Sequence, residues 1–179
     1  MSEEHLVVDL EGTCCDDGSI PKDERETIEI GAVLVDGDGR PLREFSRIVR
    51  PTRHPVLTVF CRQLTGIGQA DVDEAQPFQI VWPQFTAWVC EQRSFCSWGK
   101  YDLDQFRRDC AWHKKDLHFD HHCNLAEMFG KRVGNRKAMR RLGLEPTGTH
   151  HRGLDDARNI ARVLAAMLAA GKVARYLPT

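Results

Sequence analysis

The sequence lacks features that would each indicate a particular class of protein. No run approaches the roughly 18 consecutive apolar residues of a transmembrane helix, and the N-terminal MSEEH is acidic and polar, unlike a secretory signal. Seven cysteines form no CxxC pair. No repeat, low-complexity tract or linker is visible. We therefore expect a cytoplasmic protein whose thiols are free and mostly buried.

The sequence also lacks an excess of charge of one sign. Its formal net charge of -1 argues against broad, non-specific binding of nucleic-acid duplexes, because domains of that class are often strongly basic. The net charge does not exclude a protein that binds only the end of a nucleic-acid chain, because bound cations and a local basic patch suffice for such binding.

What is present fits one globular α/β domain. With 179 residues, 41% hydrophobic and 28% charged, the chain is long enough for a sizeable core. Two apolar runs around the turn DGDG predict a β-hairpin. Predicted strands cover residues 5–11, 27–36, 41–50 and 94–99. Predicted helices cover residues 57–64, 77–91, 103–112 and 155–170, with further helical pieces after residue 124. This alternation predicts a mixed sheet.

Two acidic residues interrupt the first predicted strand, LVVDLEGT. Residues two apart on a strand point to the same side, so Asp9 and Glu11 share a face with Val7, while Val8 and Leu10 take the other. Two carboxylates held this close repel, so at neutral pH one is protonated or a cation lies between them. Oxygen-only ligands select hard divalent cations such as Mg²⁺ or Mn²⁺. The alternative is an exposed strand end with two solvated acids.

The C-terminal segment GTHHRGLDDARNIARVLAAML has apolar residues at the 3.6-residue spacing of an amphipathic helix. On that helix Asp156 lies at the edge of the apolar face, whereas Asp155 falls on the water side near the N-terminus. Asp156 is therefore predicted to be the inward acid. Spacing alone leaves the histidines ambiguous, since His150 precedes Asp155 by five residues and His151 precedes Asp156 by five. If Asp156 is a metal ligand, His151 is the histidine that joins it in the site. The alternative is that this loop histidine lies on the protein surface.

A third acid comes from SWGKYDLDQF. Asp102 follows a short predicted strand and opens a helix in which Leu103 and Phe106 face inward, whereas Asp104 falls in the exposed first turn. In α/β folds the ends of strands deliver residues to a site, so Asp102 is the candidate. Its alternative role is that of a helix N-cap.

An early DxE on a strand, a mid-chain Asp and a late HxxxxD, in this order, resemble the DEDDh 3′→5′ exonucleases. The matching residues are Asp9, Glu11, Asp102, His151 and Asp156. Longer segments are similar to the 3′ histone-mRNA exonuclease type, which includes bacterial KapD-like proteins. These segments are DLEGTC, ETIEIGAVLV, RPTRHPVLTVFCRQLTGI, SWGKYD and HHRGLDDARNIARV. The resemblance covers about residues 5–170.

This resemblance implies a ribonuclease H-like fold, with a mixed five-stranded sheet that contains an antiparallel hairpin and is flanked by helices. It implies one exonuclease domain over residues 1–179. It also implies two divalent cations, Mg²⁺ with Mn²⁺ as a substitute, whose ligands are Asp9, Glu11, Asp102 and Asp156. His151 is the implied general base, since imidazole titrates near neutrality. The implied substrate contacts are Glu11, Gly12, Thr65, Gly66, Ile67 and His151.

The expected reaction is hydrolysis of phosphodiester bonds from the 3′ end of RNA, with single-stranded DNA as a further substrate, releasing 5′-mononucleotides. We expect no association with a membrane and no obligate protein partner. One alternative is a non-catalytic nucleic-acid or protein interaction module on the same fold, which the complete set of five residues disfavours. Another is an oligoribonuclease or a DNA-trimming exonuclease.

Three further features have a structural and a functional interpretation. The run KRVGNRKAMRR before the histidine motif predicts either a solvated helix face or a patch that guides the nucleic-acid backbone, with Arg152 as a possible member. The histidines and the cysteine between residues 113 and 123 match no zinc spacing. The tryptophans fall at core spacing, and we expect them to pack rather than to stack on bases. They are Trp82, Trp88, Trp98 and Trp112.

Overall fold

The computed structural model describes residues 4–130 and 133–171 and contains one five-stranded sheet in the order β3-β2-β1-β4-β5. The strands are β1 (Glu4–Gly12), β2 (Thr27–Asp36), β3 (Pro41–Ile48), β4 (Ser94–Ser97) and β5 (His121–Asn124). Strand β2 pairs antiparallel with both β1 and β3, whereas β1, β4 and β5 run parallel to one another. The predicted mixed sheet with an antiparallel hairpin is confirmed.

Helices flank this sheet. They are α1 (Val59–Thr65), α2 (Gln69–Glu74), α3 (Phe78–Val89), α4 (Tyr101–Trp112), α5 (Leu125–Phe129), α6 (Asn135–Arg141) and α7 (Gly153–Ala169), with a short 3-10 helix at Lys22–Glu24. The sequence pattern missed α2 and β5 because each is short and has no full apolar period. Among the described helices, none is long and apolar enough to cross a membrane.

The two faces of β1 pack against different parts of the protein. Val8 and Leu10 join an aromatic-rich cluster with side chains of α3 and α4, including Phe85 and Phe106. Val7 joins the other cluster, which is built largely from α7. The predicted alternation along this strand is therefore confirmed. It places the side chains of Asp9 and Glu11 on the face that α7 covers.

Two glycines allow α7 to begin directly against the sheet. A Cβ on Gly31 of β2 would overlap the backbone of Gly153 and Leu154. A Cβ on Gly153 would lie 3.0 Å from the Asp9 carbonyl oxygen and 3.1 Å from the Gly31 nitrogen. Gly31 must therefore lack a side chain, and Gly153 leaves little room for one, in an approach that carries the first turn of α7 to the middle of β1.

The cysteines are all free thiols, and five of them are buried. Cys15 is partly exposed and Cys90 is exposed. The predicted pattern of mostly buried thiols is therefore confirmed.

Candidate active site

A cleft of about 370 Å³ lies beside the C-terminal end of β1. All five residues predicted to carry the chemistry line it, although they come from β1, α4, α7 and the loop before α7. The full lining consists of Asp9, Leu10, Glu11, Gly12, Cys14, Arg25, Leu64, Trp98, Tyr101, Asp102, Asn135, His150, His151, Asp156 and Ile160. Tertiary folding thus brings together residues that are up to 147 positions apart (156 minus 9).

Three of the carboxylates form a tight group. Asp9, Glu11 and Asp156 each offer an oxygen within 4.8 Å of the other two. Glu11 and Asp156 are buried, and Asp9 is partly exposed. Within the described residues Asp102 is not a member of this group, although it lines the same cleft. Oxygen donors this close together suit a hard divalent cation.

Asp102 is fixed to β1 rather than to its own helix. Its Oδ1 accepts a hydrogen bond of 2.9 Å from the backbone N–H of Leu10. The N-cap of α4 is Lys100, so Asp102 lies inside the helix, where only 3% of it is exposed. The N-cap interpretation of Asp102 is therefore wrong. The residue links α4 to the strand that carries Asp9 and Glu11.

Burial and mutual repulsion make it unfavourable for the carboxylates of the cleft all to be charged at the same time. Burial, then the charges of Asp102 and Glu11, raise the pKa of Asp9 well above its usual range. Burial, then the charges of Asp156 and Glu29, raise the pKa of Glu11 to about 8. Burial also raises the pKa of Asp102 to about 6, although the Leu10 N–H opposes this shift. A bound cation would remove the repulsion that produces these shifts.

The loop before α7 wraps around the Asp156 carboxylate. The backbone N–H of His151 donates to Asp156 Oδ2 at 2.7 Å, and His150 Nδ1 lies 3.2 Å from the same oxygen. The two imidazole rings stack with their centroids 3.9 Å apart. His151 reaches this position with a φ of 60°, a left-handed conformation that non-glycine residues rarely adopt.

His151 is suited to accept a proton at neutral pH. Burial lowers its pKa, and the neighbouring charges of His150 and Arg136 lower it further, while Asp156 opposes them. The lowered pKa favours the neutral ring, in which one nitrogen carries a lone pair. His150, by contrast, directs its Nδ1 to Asp156. Spacing could not separate the two histidines, but these contacts distinguish them.

The two adjacent acids of α7 have the predicted orientations. Asp156 is 6% exposed and faces the cleft. Asp155 accepts a hydrogen bond of 2.8 Å from the Thr149 N–H and one of 3.0 Å from Arg158. Asp155 therefore closes the preceding loop and lies outside the cleft.

Glu29 is a buried residue near the site that sequence reasoning did not single out. From β2 it accepts hydrogen bonds from the Gly153 N–H at 2.9 Å and from Arg152 Nε at 3.1 Å. It thereby holds the start of α7 against the sheet, and its charge contributes to the raised pKa of Glu11. The available signal was a glutamate at an inward position of the strand TIEIG.

The predicted substrate contacts are only partly found in the cleft. Glu11, Gly12 and His151 line it, whereas Thr65, Gly66 and Ile67 do not. The Thr65 hydroxyl donates to the Cys61 carbonyl, and Ile67 is buried in a small core cluster. Their neighbour Leu64 lines the cleft instead. The segment contributes a wall, but through a different residue from those expected.

Gly12 is small for a reason visible in the fold. A Cβ there would overlap the hydroxyl of Tyr101 and would lie 3.3 Å from the carbonyl oxygen of Glu26. The resemblance implied that Gly12 contacts the substrate. Protein groups already occupy the space that a Cβ would need, and they bring the Tyr101 hydroxyl to the edge of the cleft.

The structure describes only part of the basic run KRVGNRKAMRR. Lys131 and Arg132 lie outside the described residues, and the cations on α6 are exposed. These are Arg136, Lys137, Arg140 and Arg141. Arg152 does not join them, because it pairs with the buried Glu29.

Other predicted features have structural roles. His113 stacks on Phe78, and His122 Nε2 lies 2.9 Å from the Ser97 hydroxyl. Trp98 packs near Phe129, as the prediction of packing requires, but it also lines the cleft.

Comparison with known proteins identifies the family. The Exonuclease family (RNase_T) matches residues 6–164. The chain belongs to this family. The resemblance inferred from the DEDDh residues is thus confirmed.

Relatives within the exonuclease family carry related names. ERI1 exoribonuclease 2 of Homo sapiens is 32% identical over 94% of this chain and 29% of its own length. The 3′-5′ exoribonuclease 1 of Homo sapiens is 29% identical over 92% of this chain and 52% of its own length. This chain therefore spans about a third to a half of these relatives.

A solved structure of the family covers nearly the same extent as this chain. The nuclease domain of 3′hExo, a DEDDh family member bound to rAMP, superposes with a TM-score of 0.85 at 27% identity. The match covers 95% of this chain and 94% of that one. DEDDh exonucleases depend on divalent metal ions, which agrees with the acidic group in the cleft.

Proposed function

We propose that this chain is a metal-dependent 3′→5′ exonuclease, which hydrolyses phosphodiester bonds from the 3′ end of single-stranded RNA and releases 5′-mononucleotides. One observation carries the proposal: Asp9, Glu11 and Asp156 converge within 4.8 Å in a cleft that His151 also lines. Single-stranded DNA is a second substrate in this proposal, and the whole of residues 1–179 acts as one exonuclease domain.

The residues of the cleft fit divalent cations. Their donors are all carboxylate oxygens, and burial together with neighbouring acids raises the pKa values of Asp9 and Glu11, which supports a site that takes positive charge. Asp9, Glu11 and Asp156 would hold one cation, and Asp9 with Asp102 would hold a second, directly or through water. We assign Mg²⁺, with Mn²⁺ as a substitute. When bound, such ions stabilise the charge that develops on the phosphate and lower the pKa of water.

The side chains of the protein have separate tasks in this reaction. His151 accepts the proton of the attacking water, because its ring is neutral and partly buried. The Asp156 carboxylate holds His151 in place by accepting a 2.7 Å hydrogen bond from its backbone N–H. Glu11, Gly12 and His151 are the proposed contacts to the terminal nucleotide. The cleft lining does not support a direct contact of Thr65, Gly66 or Ile67 with the terminal nucleotide. We propose Leu64 in their place.

The preference for RNA rests on the relatives. Two of them are named exoribonucleases, and 3′hExo was crystallised with rAMP. The exposed cations of α6 support a path for the nucleic-acid backbone, since Arg136 lies close enough to His151 to influence its pKa. A cytoplasmic location completes the proposal, and the seven free thiols support a reducing compartment.

The decisive experiment is digestion of a 5′-labelled single-stranded RNA in Mn²⁺, with a matched DNA strand alongside. We expect a ladder shortened from the 3′ end, with 5′-mononucleotides as products and no cleavage in EDTA. Faster digestion of RNA than of DNA would support the substrate preference. If the chain binds the strands but digests neither, the alternative of a non-catalytic binding module replaces this proposal.

A further inference from the structure

Arg25 lies in the acidic cleft without an acidic partner. Besides the two histidines it is the one basic residue among the described lining residues. In residues 4–130 and 133–171, no carboxylate lies within 4.0 Å of its guanidinium, and its buried Nε has no hydrogen-bond partner. A partly buried guanidinium normally has such partners, because its desolvation is otherwise uncompensated.

The backbone holds Arg25 rigidly at the end of β1. Its carbonyl accepts a hydrogen bond of 2.7 Å from Gln105. The next residue, Glu26, exchanges two bonds with Thr13, from the Glu26 N–H to the threonine hydroxyl at 3.0 Å and from the Thr13 N–H to the Glu26 carbonyl at 2.8 Å. The Glu26 carboxylate also accepts from the backbone of the loop at residues 52–54. This fixed backbone presents a ready-placed cation to the cleft.

A nearby arginine, Arg108, also has a buried Nε without a hydrogen-bond partner among the described residues, but a terminal nitrogen of its guanidinium is paired. Arg108 also approaches Tyr101, but its Nη2 donates to Gln105 Oε1 at 2.6 Å and it does not line the cleft. The same helix thus supplies a partner to Arg108 and leaves the Arg25 guanidinium to the solvent of the cleft.

The charge of Arg25 lies on one side of the cleft. It lowers the pKa of Cys61 and opposes the rise in the pKa of Tyr101, whereas burial and then neighbouring acids raise the pKa values of Asp9 and Glu11. The charge of Arg25 therefore acts on the Tyr101 side of the cleft.

Building on the proposed function, we propose that Arg25 binds a backbone phosphate of the nucleic acid, and that this phosphate is not the one at the carboxylates. A guanidinium matches a phosphate with two parallel N–H···O bonds, which an ammonium cannot reproduce. The ligand is a phosphodiester with at least one phosphate beyond the terminal nucleotide, so Arg25 favours a chain over a mononucleotide.

The test compares wild type with Arg25→Ala and Arg25→Lys, and with Arg47→Ala as the control. Arg47 is exposed on β3, has no acidic partner within 4.0 Å in the described chain and lies outside the cleft. A fluorescent oligoadenylate and 5′-AMP serve as the probes, in Ca²⁺ and over a series of KCl concentrations. Thermal unfolding of each variant checks that it folds.

We expect Arg25→Ala to weaken oligoadenylate binding roughly tenfold or more. The slope of log affinity against log salt should fall by about 0.7, as for the loss of one phosphate contact on a single strand. The affinity and salt slope of Arg25→Lys should fall between those of wild type and of Arg25→Ala. Those of Arg47→Ala should match wild type. Binding of 5′-AMP should be unchanged in every variant.

Two results would overturn the inference. Wild-type affinity and salt slope in folded Arg25→Ala would remove the phosphate contact altogether. Equal weakening of 5′-AMP and oligoadenylate would assign Arg25 to the phosphate at the carboxylates. If wild type cleaves RNA while one of these results is obtained, this inference alone fails. If wild type neither binds nor cleaves RNA, the proposed function fails as well.

Discussion

At the residue scale, Asp155 and Asp156 have the same chemistry and opposite environments. One helical step of about 100° separates them, so Asp156 enters the cleft while Asp155 binds the Thr149 N–H. Neighbouring residues of one type therefore serve as controls for each other.

Asp156→Asn should reduce metal-dependent cleavage of RNA by on the order of 10²-fold or more, because a cation ligand loses its charge. Asp155→Asn should retain most of the activity, with a modest loss of stability from its bonds to Thr149 and Arg158. Initial rates in Mn²⁺ decide between them. A greater loss in Asp155→Asn would reverse the assigned orientation of α7.

The two histidines offer a second matched pair. His151→Ala should lower kcat by on the order of 10²-fold or more, because the proposed general base is lost. His150→Ala should cost less, since the Nδ1 of that ring is directed to the Asp156 carboxylate. Single-turnover rates would separate these effects from substrate binding. Comparable rates for His151→Ala and wild type would exclude the base role.

At the element scale, the position of α7 depends on how closely its first turn approaches β2. The paired glycines at 31 and 153 set this distance, and Glu29 ties the same turn to the strand. Since α7 carries Asp156, and the loop before it carries His151, a shift of the helix changes the site without altering any ligand.

Gly31→Ala should destabilise the protein by about 1–3 kcal/mol or more, because the new methyl group overlaps the backbone of Gly153. It should also weaken Mn²⁺ binding, as Asp156 moves away from Asp9. Gly134→Ala is the control, with no atom near its added Cβ and an ordinary φ of -67°. Denaturant unfolding and calorimetric titration measure the two quantities. An unaltered Mn²⁺ affinity in Gly31→Ala would mean that the helix position is not critical.

Element boundaries show where pattern reasoning is limited. The helical period placed the start of α4 at residue 103, but the helix begins at Tyr101. The two-residue difference changes Asp102 from a possible cap into a buried side chain that contacts β1. A period in apolar residues marks the middle of a helix, whereas its ends depend on hydrogen bonds that the pattern does not contain.

At the scale of the whole molecule, the converging acids couple global stability to pH. The pKa of Glu11 is about 8 in the folded protein, against an ordinary value of 4.5. Between these values the metal-free folded state binds more protons than the unfolded state, so the free energy of unfolding falls as pH rises. Each pKa unit corresponds to about 1.4 kcal/mol, so the decrease is on the order of a few kcal/mol.

Thermal unfolding in EDTA should therefore give a lower Tm at about pH 8 than at about pH 5. Mn²⁺ should raise the Tm most at the higher pH, where the acids are free to bind it. Glu11→Gln should flatten the pH dependence in EDTA and lose part of the Mn²⁺ effect. A Glu11→Gln variant with the wild-type pH profile would show that the repulsion is relieved elsewhere.

The sequence by itself determined much of the site. Strand alternation placed Asp9 and Glu11 on one face, and helical period selected Asp156 over Asp155. These inferences succeed because side-chain direction follows from backbone geometry within a single element. The order of the motifs then indicated the family.

Only the tertiary structure decided the contacts between elements. It assigned Asp102 to the Leu10 N–H, His150 to Asp156, and Arg152 to Glu29 rather than to the basic patch. It also replaced Thr65, Gly66 and Ile67 with Leu64 in the wall of the cleft and, among the described residues, left the Arg25 Nε without a hydrogen-bond partner. Such contacts depend on distances between segments far apart in the chain, and no local period of the sequence records those distances.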